Sequence, residues 1–247
     1  MDFSFNLDNK LILITGAGSG IGRQTAITLS QLGAQLILLD ISAESLADTE
    51  ALLTGTHKTY CADISDEQRL ADISDEVATL GQLSGLVHCA GISSRKPLRT
   101  LTTSGFEPVM TVNFYGFVSL VKLFTKRNRM ADGGSIVVMS SISSTRGYKA
   151  KTEYCVSKAS VDAFVRCSAL ELAPKGIRIN SIAPGEVLTP MAQRARELAA
   201  AAGAPLAEQP LGPTHPQEVA NLIAFLLSDL TRTITGTSIR IDGGACI

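Results

Sequence analysis

No tryptophan occurs in this sequence, and aromatic residues make up only 5% of it. Cysteine and histidine are also scarce, at five and three residues. Cys61, Cys89, Cys155, Cys167 and Cys246 form no Cys-x-x-Cys pair and are odd in number, which argues against a disulfide framework or a zinc site. His57, His88 and His215 lack ligand spacing, so no metal site is expected. Charge of one sign is lacking too: the net charge is −1. Binders of nucleic acid carry a basic excess on one face, so no nucleic-acid partner is expected. No apolar run reaches the roughly 18 residues of a membrane span. The start, Met1 to Asn6, has neither the basic residues nor the apolar stretch of a signal peptide. A cytoplasmic protein without a membrane partner is therefore expected.

What is present is 247 residues, 45% hydrophobic and 18% charged, enough for one large α/β domain. Seven short β-rich runs alternate with helical patterns: Leu11–Ile14, Leu36–Leu39, Lys58–Cys61, Leu86–Cys89, Ile136–Met139, Arg178–Ile182 and Ser238–Ile241. Most are continuously apolar, as parallel strands covered on both faces are. The alternation predicts an α/β fold, a doubly wound sheet of about seven parallel strands with helices on both faces. No composition shift divides the chain, so residues 1–247 read as one domain. Ser42 is the expected N-cap of the second helix. Thr214-His215-Pro216-Gln217 reads as a capping box opening the helix of Val219, Leu222, Ile223, Phe225 and Leu226. Residues 189–213 carry no strand signal. Two readings stand for them: a substrate-side lid with a helix over Met191 to Ala202, or a plain surface helix and loop.

The loop Thr15-Gly16-Ala17-Gly18-Ser19-Gly20-Ile21-Gly22 follows the first strand and opens the first helix. Glycines let backbone approach a pyrophosphate, which then sits on the helix N-terminus. The second strand ends in Asp40, where a carboxylate would accept hydrogen bonds from an adenosine ribose and repel a 2′-phosphate. A strand-end turn residue is the simpler alternative for Asp40. Neither Gly18 nor Ser19 brings a cation, and Arg23 lies a turn inside the helix, so NAD(H) is favoured over NADP(H). Tyr154 and Lys158 are four residues apart, on one helix face, with Ser141 thirteen residues upstream. A nearby cation is expected to favour the phenolate and lower the pKa of Tyr154.

These motifs, in this order, resemble the short-chain dehydrogenase/reductase family in its compact form, over nearly the whole chain. The Thr-Gly-x-x-x-Gly-x-Gly loop matches Thr15 to Gly22. Tyr-x-x-x-Lys matches Tyr154 to Lys158, the catalytic serine matches Ser141, the helix asparagine Asn113, and Pro-Gly after the sixth strand Pro184-Gly185. The resemblance implies a Rossmann-type fold and hydride transfer between nicotinamide and a carbonyl or alcohol carbon. It implies that Asn113, Ser141, Tyr154 and Lys158 are catalytic. It implies that Gly16, Gly18, Ser19, Gly20, Ile21, Gly22 and Asp40 bind the cofactor, together with Tyr154 and Lys158. Asp63 and Ile64 are expected to border the adenine, and Cys89, Ala90 and Gly91 the adenosine ribose. Pro184, Val187 and Thr189 are expected at the nicotinamide end, and Asn113 to hold a water that links Lys158 to solvent. The family's usual Asn-Asn-Ala-Gly is here His88-Cys89-Ala90-Gly91, which implies a change in how the sheet is braced. A homotetramer is implied, built on the long helices of Asn113 and Tyr154 and on the tail Ser238 to Ile247.

The substrate is expected to be a small-molecule or carrier-linked carbonyl or alcohol. Arg95, Lys96, Lys149 and Lys151 give the expected mouth a basic rim, and Lys126, Arg127, Arg129 and Lys175 end nearby helices. Such residues suit an acidic acyl carrier; solvated helix ends are the simpler alternative. A 3-oxoacyl thioester reductase, of the kind that acts on acyl-carrier-protein substrates, is the first expectation. An oxidative sugar or secondary-alcohol dehydrogenase is the second, and a non-catalytic NAD-binding protein the third.

Overall fold

The computed structural model describes residues 6–201 and 209–247. The seven strands are β1 (Leu11–Thr15), β2 (Gln35–Asp40), β3 (Lys58–Cys61), β4 (Leu83–His88), β5 (Met130–Met139), β6 (Arg178–Pro184) and β7 (Ser238–Ile241). They form one parallel sheet in the order β3-β2-β1-β4-β5-β6-β7. The helices are α1 (Gly20–Gln31), α2 (Ala43–Glu50), α3 (Glu67–Ala78), α4 (Glu107–Met110), α5 (Gly116–Phe124), α6 (Thr152–Leu172), α7 (Pro190–Ala201) and α8 (Pro216–Leu227). A single π turn, Thr111–Tyr115, joins α4 to α5.

Side chains alternate between the faces of a strand, and here both faces are covered. Leu13, Ile37, Leu86, Ile136 and Ile179 enter one core with Ile73 of α3, Phe117 and Leu120 of α5, and Val161 and Val165 of α6. Their neighbours Ile12, Leu36, Val87 and Val137 enter the other, against Leu29 of α1 and Val219, Ile223 and Leu227 of α8. That double burial is why the central strands read as unbroken apolar runs.

From β1 the chain winds outward through β2 to β3, then crosses back to β4 on the other side of β1. The loops after β1 and β4 therefore diverge, leaving a crevice at the carboxyl ends of these strands.

Ser42 caps α2 as expected, its hydroxyl accepting from the Ser45 N–H at 3.2 Å. The cap of α8 falls one residue later than the sequence suggests. His215 is the N-cap, Pro216 takes the first helical position, and the Glu218 carboxylate accepts the His215 N–H at 2.7 Å. Thr214 is drawn away because its backbone bridges to Val187. The helix expected over Met191 to Ala202 runs from Pro190 to Ala201, and the rest of the 189–213 segment up to residue 208 lies outside the described residues. Among the described residues no helix is long and apolar enough to cross a membrane.

Candidate active site

The glycine loop closes the crevice at its β1 edge. Gly16 has φ +66, and a Cβ there would stand 2.6 Å from the backbone nitrogen of Ala90. A Cβ at Gly22 would collide with the Gly16 carbonyl. Both positions need glycine, one for conformation and approach, the other for turning tightly into α1. Ser19 is the N-cap of α1 but makes no side-chain capping bond, and no acidic residue occupies the first turn. The first-turn N–H groups thus lack a side-chain acceptor and suit a phosphate.

Asp40, at the end of β2, folds back onto this loop. Its Oδ2 accepts the Gly18 N–H at 2.8 Å and its Oδ1 the Ser42 N–H at 3.1 Å. Arg23 lies behind the loop with its guanidinium engaged. It donates to the Gly18 carbonyl and, at 3.0 Å, to Thr49 Oγ1, and pairs with Asp48 at 3.8 Å. Across the crevice, Thr189 packs over the loop: a Cβ at Gly20 would stand 3.2 Å from its Cγ2. Val187 is buried and Pro184 ends β6 beside Ile241. Asp63 is exposed and bonds Ser65, whereas Ile64 is buried in the core against Gly116.

After β4 the chain runs through Cys89 and Ala90 to Gly91. A Cβ at Gly91 would lie 3.2 Å from Asn113 Oδ1 and 3.7 Å from Lys158 Nζ. Burial pushes the Cys89 thiol up to about 12, so it stays protonated. His88 is fully buried, stacked on Phe117 with ring centroids 5.2 Å apart, and its Nδ1 lies 2.8 Å from Thr15 Oγ1. Burial, assisted by the Lys158 charge, lowers its pKa to about 3 and keeps the imidazole neutral. His88 and Thr15 thus brace β4 to β1 from within, a device the sequence departure only hinted at.

Asn113 lies in the π turn and is completely buried. Its Oδ1 accepts the Ile92 N–H at 2.8 Å; its Nδ2 donates to the Ile92 carbonyl and to Ser157 Oγ, each at 3.0 Å. Ser157 in turn donates to the Tyr154 carbonyl at 2.8 Å. Sequence reasoning missed Ser157, although its place one turn after Tyr154 and just before Lys158 was a usable signal. Lys158 is buried and donates to the Met139 carbonyl at 2.8 Å. Burial lowers its pKa to about 8. Ser141 extends from the end of β5, its Oγ accepting the Ser143 N–H at 3.1 Å.

One expectation fails here. Tyr154 has its pKa raised, not lowered: burial dominates, with hydrogen bonding from Ser141 opposing it. The Lys158 ammonium lies 5.8 Å from the Tyr154 ring centroid and is spent on the Met139 carbonyl. At this site the loss of solvent outweighs a cation at that distance.

Ser141, Asn113, Tyr154 and Lys158 thus converge beside the glycine loop. A family model described as Enoyl-(Acyl carrier protein) reductase matches residues 16–246. The chain belongs to the short-chain dehydrogenase/reductase family. It is similar to the 3-oxoacyl-[acyl-carrier-protein] reductase of Thermotoga maritima, with 35% identity over 98% of this chain and 99% of that protein. It is also similar to the D-threitol dehydrogenase of Mycolicibacterium smegmatis, with 32% identity over 100% of this chain and 96% of that protein. The crystal structure of a levodione reductase superposes with a TM-score of 0.86 and 31% identity, covering 96% of this chain and 97% of that one. As a short-chain dehydrogenase/reductase, the protein is an oxidoreductase of CH–OH and C=O groups that uses a nicotinamide cofactor. The glycine cradle, the uncapped α1 and the facing Asp40 fit such a dinucleotide.

The basic rim divides in the structure. Lys96 pairs with the buried Glu153 at 3.4 Å, and Arg129 pairs with Asp75 at 2.5 Å. Lys149 is exposed, whereas Lys151 is half-buried beside Tyr154.

Proposed function

We propose that the protein is an NAD(H)-dependent oxidoreductase interconverting a ketone and a secondary alcohol on a 3-oxoacyl or 3-hydroxyacyl substrate. The carrying observation is the convergence of Ser141, Tyr154 and Lys158 at the mouth of the dinucleotide crevice. When bound, the nicotinamide supplies or accepts hydride at its C4. Tyr154, protonated at neutral pH, donates its proton to the substrate oxygen in reduction and takes it back in oxidation. Ser141 donates a hydrogen bond to that oxygen as charge develops. Lys158 steadies the phenol's surroundings and holds the nicotinamide ribose, while Asn113 fixes the backbone at Ile92 and Ser157 beside it. The segment from Thr189 through α7 is read as the substrate side, with α7 closing over the reacting end and Thr189 and Val187 holding the carboxamide.

NAD(H) is favoured because the Asp40 carboxylate faces the loop and Arg23, behind the loop, is already committed. The acyl reading draws on the Thermotoga maritima relative, with the thioester as the form expected from sequence. The D-threitol dehydrogenase relative supports a second reading, oxidation of a secondary alcohol or sugar.

The test is an absorbance assay at 340 nm with NADH and NADPH against acetoacetyl compounds, secondary alcohols and sugars. Turnover of the acetoacetyl compounds with NADH is expected, with weaker use of NADPH. Asp40→Ala is expected to weaken NADH and narrow the gap. Wild-type protein binding NADPH at least as tightly as NADH would overturn the cofactor assignment.

A further inference from the structure

Lys151 stands three residues before Tyr154, at the N-terminal edge of α6. Its ammonium lies 5.7 Å from the Tyr148 ring centroid and 5.8 Å from that of Tyr154. Both ring faces attract a cation and hold this one against the catalytic phenol. Aromatic faces leave its charge uncancelled, and among the described residues it makes no ion pair and no side-chain hydrogen bond. The Glu186 carboxylate acts on it from farther off but is bound to Arg196 of α7.

A second cation sharpens the imbalance. The Lys96 N–H donates to the Ala150 carbonyl at 2.8 Å, which ties the segment after β4 to the one before α6. Arg95 is thereby brought alongside Lys151, also half-buried and also without an ion pair among the described residues. Burial first, then the Arg95 charge, push the Lys151 pKa below the usual lysine value. Two like charges close together and partly out of water gain from an anion beside them. Ser94 Oγ and Tyr148 Oη, on the same segments, are buried hydroxyls without a hydrogen-bond partner among the described residues. The two cations supply the charge that an anion needs.

We propose that Lys151 and Arg95 form a carboxylate subsite beside Tyr154, so that the substrate is a hydroxy acid or keto acid whose carboxylate lies one or two carbons from the reacting centre. This rests on the reading of Tyr154 as the proton donor and narrows the acyl end from a thioester to a free acid. In reduction Tyr154 would give its proton to the carbonyl oxygen while the nicotinamide, when bound, supplies hydride to the carbonyl carbon, and the carboxylate passes through unchanged. Closeness decides against a carrier: a phosphopantetheine arm would carry its phosphate well away from the ring that Lys151 covers.

The experiment has two arms. In the first, the NADH complex is titrated with propionate, a short carboxylate with no carbonyl to reduce, and followed by NADH fluorescence. Saturable binding is expected, weakened at least tenfold in Lys151→Met and Lys151→Gln and largely kept in Lys151→Arg. In the second, kcat/KM is compared for acetoacetate and its neutral methyl ester. The wild-type preference for the acid is expected to collapse at least tenfold in Lys151→Met and in part in Arg95→Met. No saturable propionate binding in the wild type, or binding indifferent to Lys151, overturns the proposal. So does an equal loss for acid and ester with a displaced pH profile, which would make Lys151 a positioning residue for Tyr154. If propionate binds through Lys151 but neither acetoacetyl compound turns over, the subsite stands and the 3-oxoacyl reading falls.

Discussion

The Tyr154 phenol keeps its proton at neutral pH, as an ordinary phenol does, and burial disfavours the phenolate further. In the proposed reaction it is the proton donor for carbonyl reduction. Tyr154→Phe removes that proton and keeps the ring beneath Lys151. Turnover is expected to fall about 10²- to 10⁴-fold with NADH affinity little changed, measured by steady-state rates and fluorescence titration. A variant keeping a tenth of wild-type activity would defeat the role. His88 makes a different prediction. Its folded pKa of about 3 lies below the ordinary 6.5. Between those values the unfolded chain binds a proton that the native state refuses, so stability falls as pH drops through that window. The loss approaches on the order of 5 kcal/mol at the acid end. His88→Asn, with no imidazole to titrate, is expected to flatten this part of the curve in urea unfolding between pH 7 and 4. Parallel curves for the two proteins would refute the assignment.

The helix from Glu107 to Phe124 is broken by its π turn, and the break has a use. One extra residue in the turn rotates Asn113 toward Ile92 and Ser157 rather than along the regular face. Asn113→Ala strips the Ile92 N–H and carbonyl of their partner. A cost of about 2 kcal/mol in urea unfolding is expected, together with a lower kcat. A variant equal to wild type in both would show the amide to be dispensable. Nothing in Thr111 to Tyr115 announces a π turn locally, whereas the start of α2 at Ser42 is legible, because a cap is a contact between near neighbours. The cap of α8 moved from Thr214 to His215 because a remote strand-like bridge claimed Thr214, which no local pattern encodes.

Across the whole molecule, large apolar side chains remain in the open along the helices of Asn113 and Tyr154 and at the tail. Leu170 is 79% exposed and Ile247 fully so, and Tyr115 and Val156 are exposed as well. These positions lie on the elements from which the sequence resemblance implies a homotetramer, and a solvated apolar surface gains by being covered. Light scattering at micromolar concentration is expected to give a tetramer, with Leu170→Glu shifting it toward smaller species. A wild-type monomer would contradict the assembly.

The sequence alone determined the number and kind of strands, because a sheet buried on both faces must be written as apolar runs. It also determined the glycine loop and the Tyr154–Lys158 spacing, since a tight turn and a shared helix face depend only on residues a few positions apart. The tertiary structure decided what depends on distant chain meeting. It set the sign of the Tyr154 shift, which burial controls, and the commitment of Lys158 to Met139. It paired His88 with Thr15 across 73 residues. It also sorted the basic rim, giving Lys96 a buried partner and leaving Lys151 between two rings with none among the described residues. A charge is read from the sequence, but its solvation and its counter-ion exist only once the fold has closed around it.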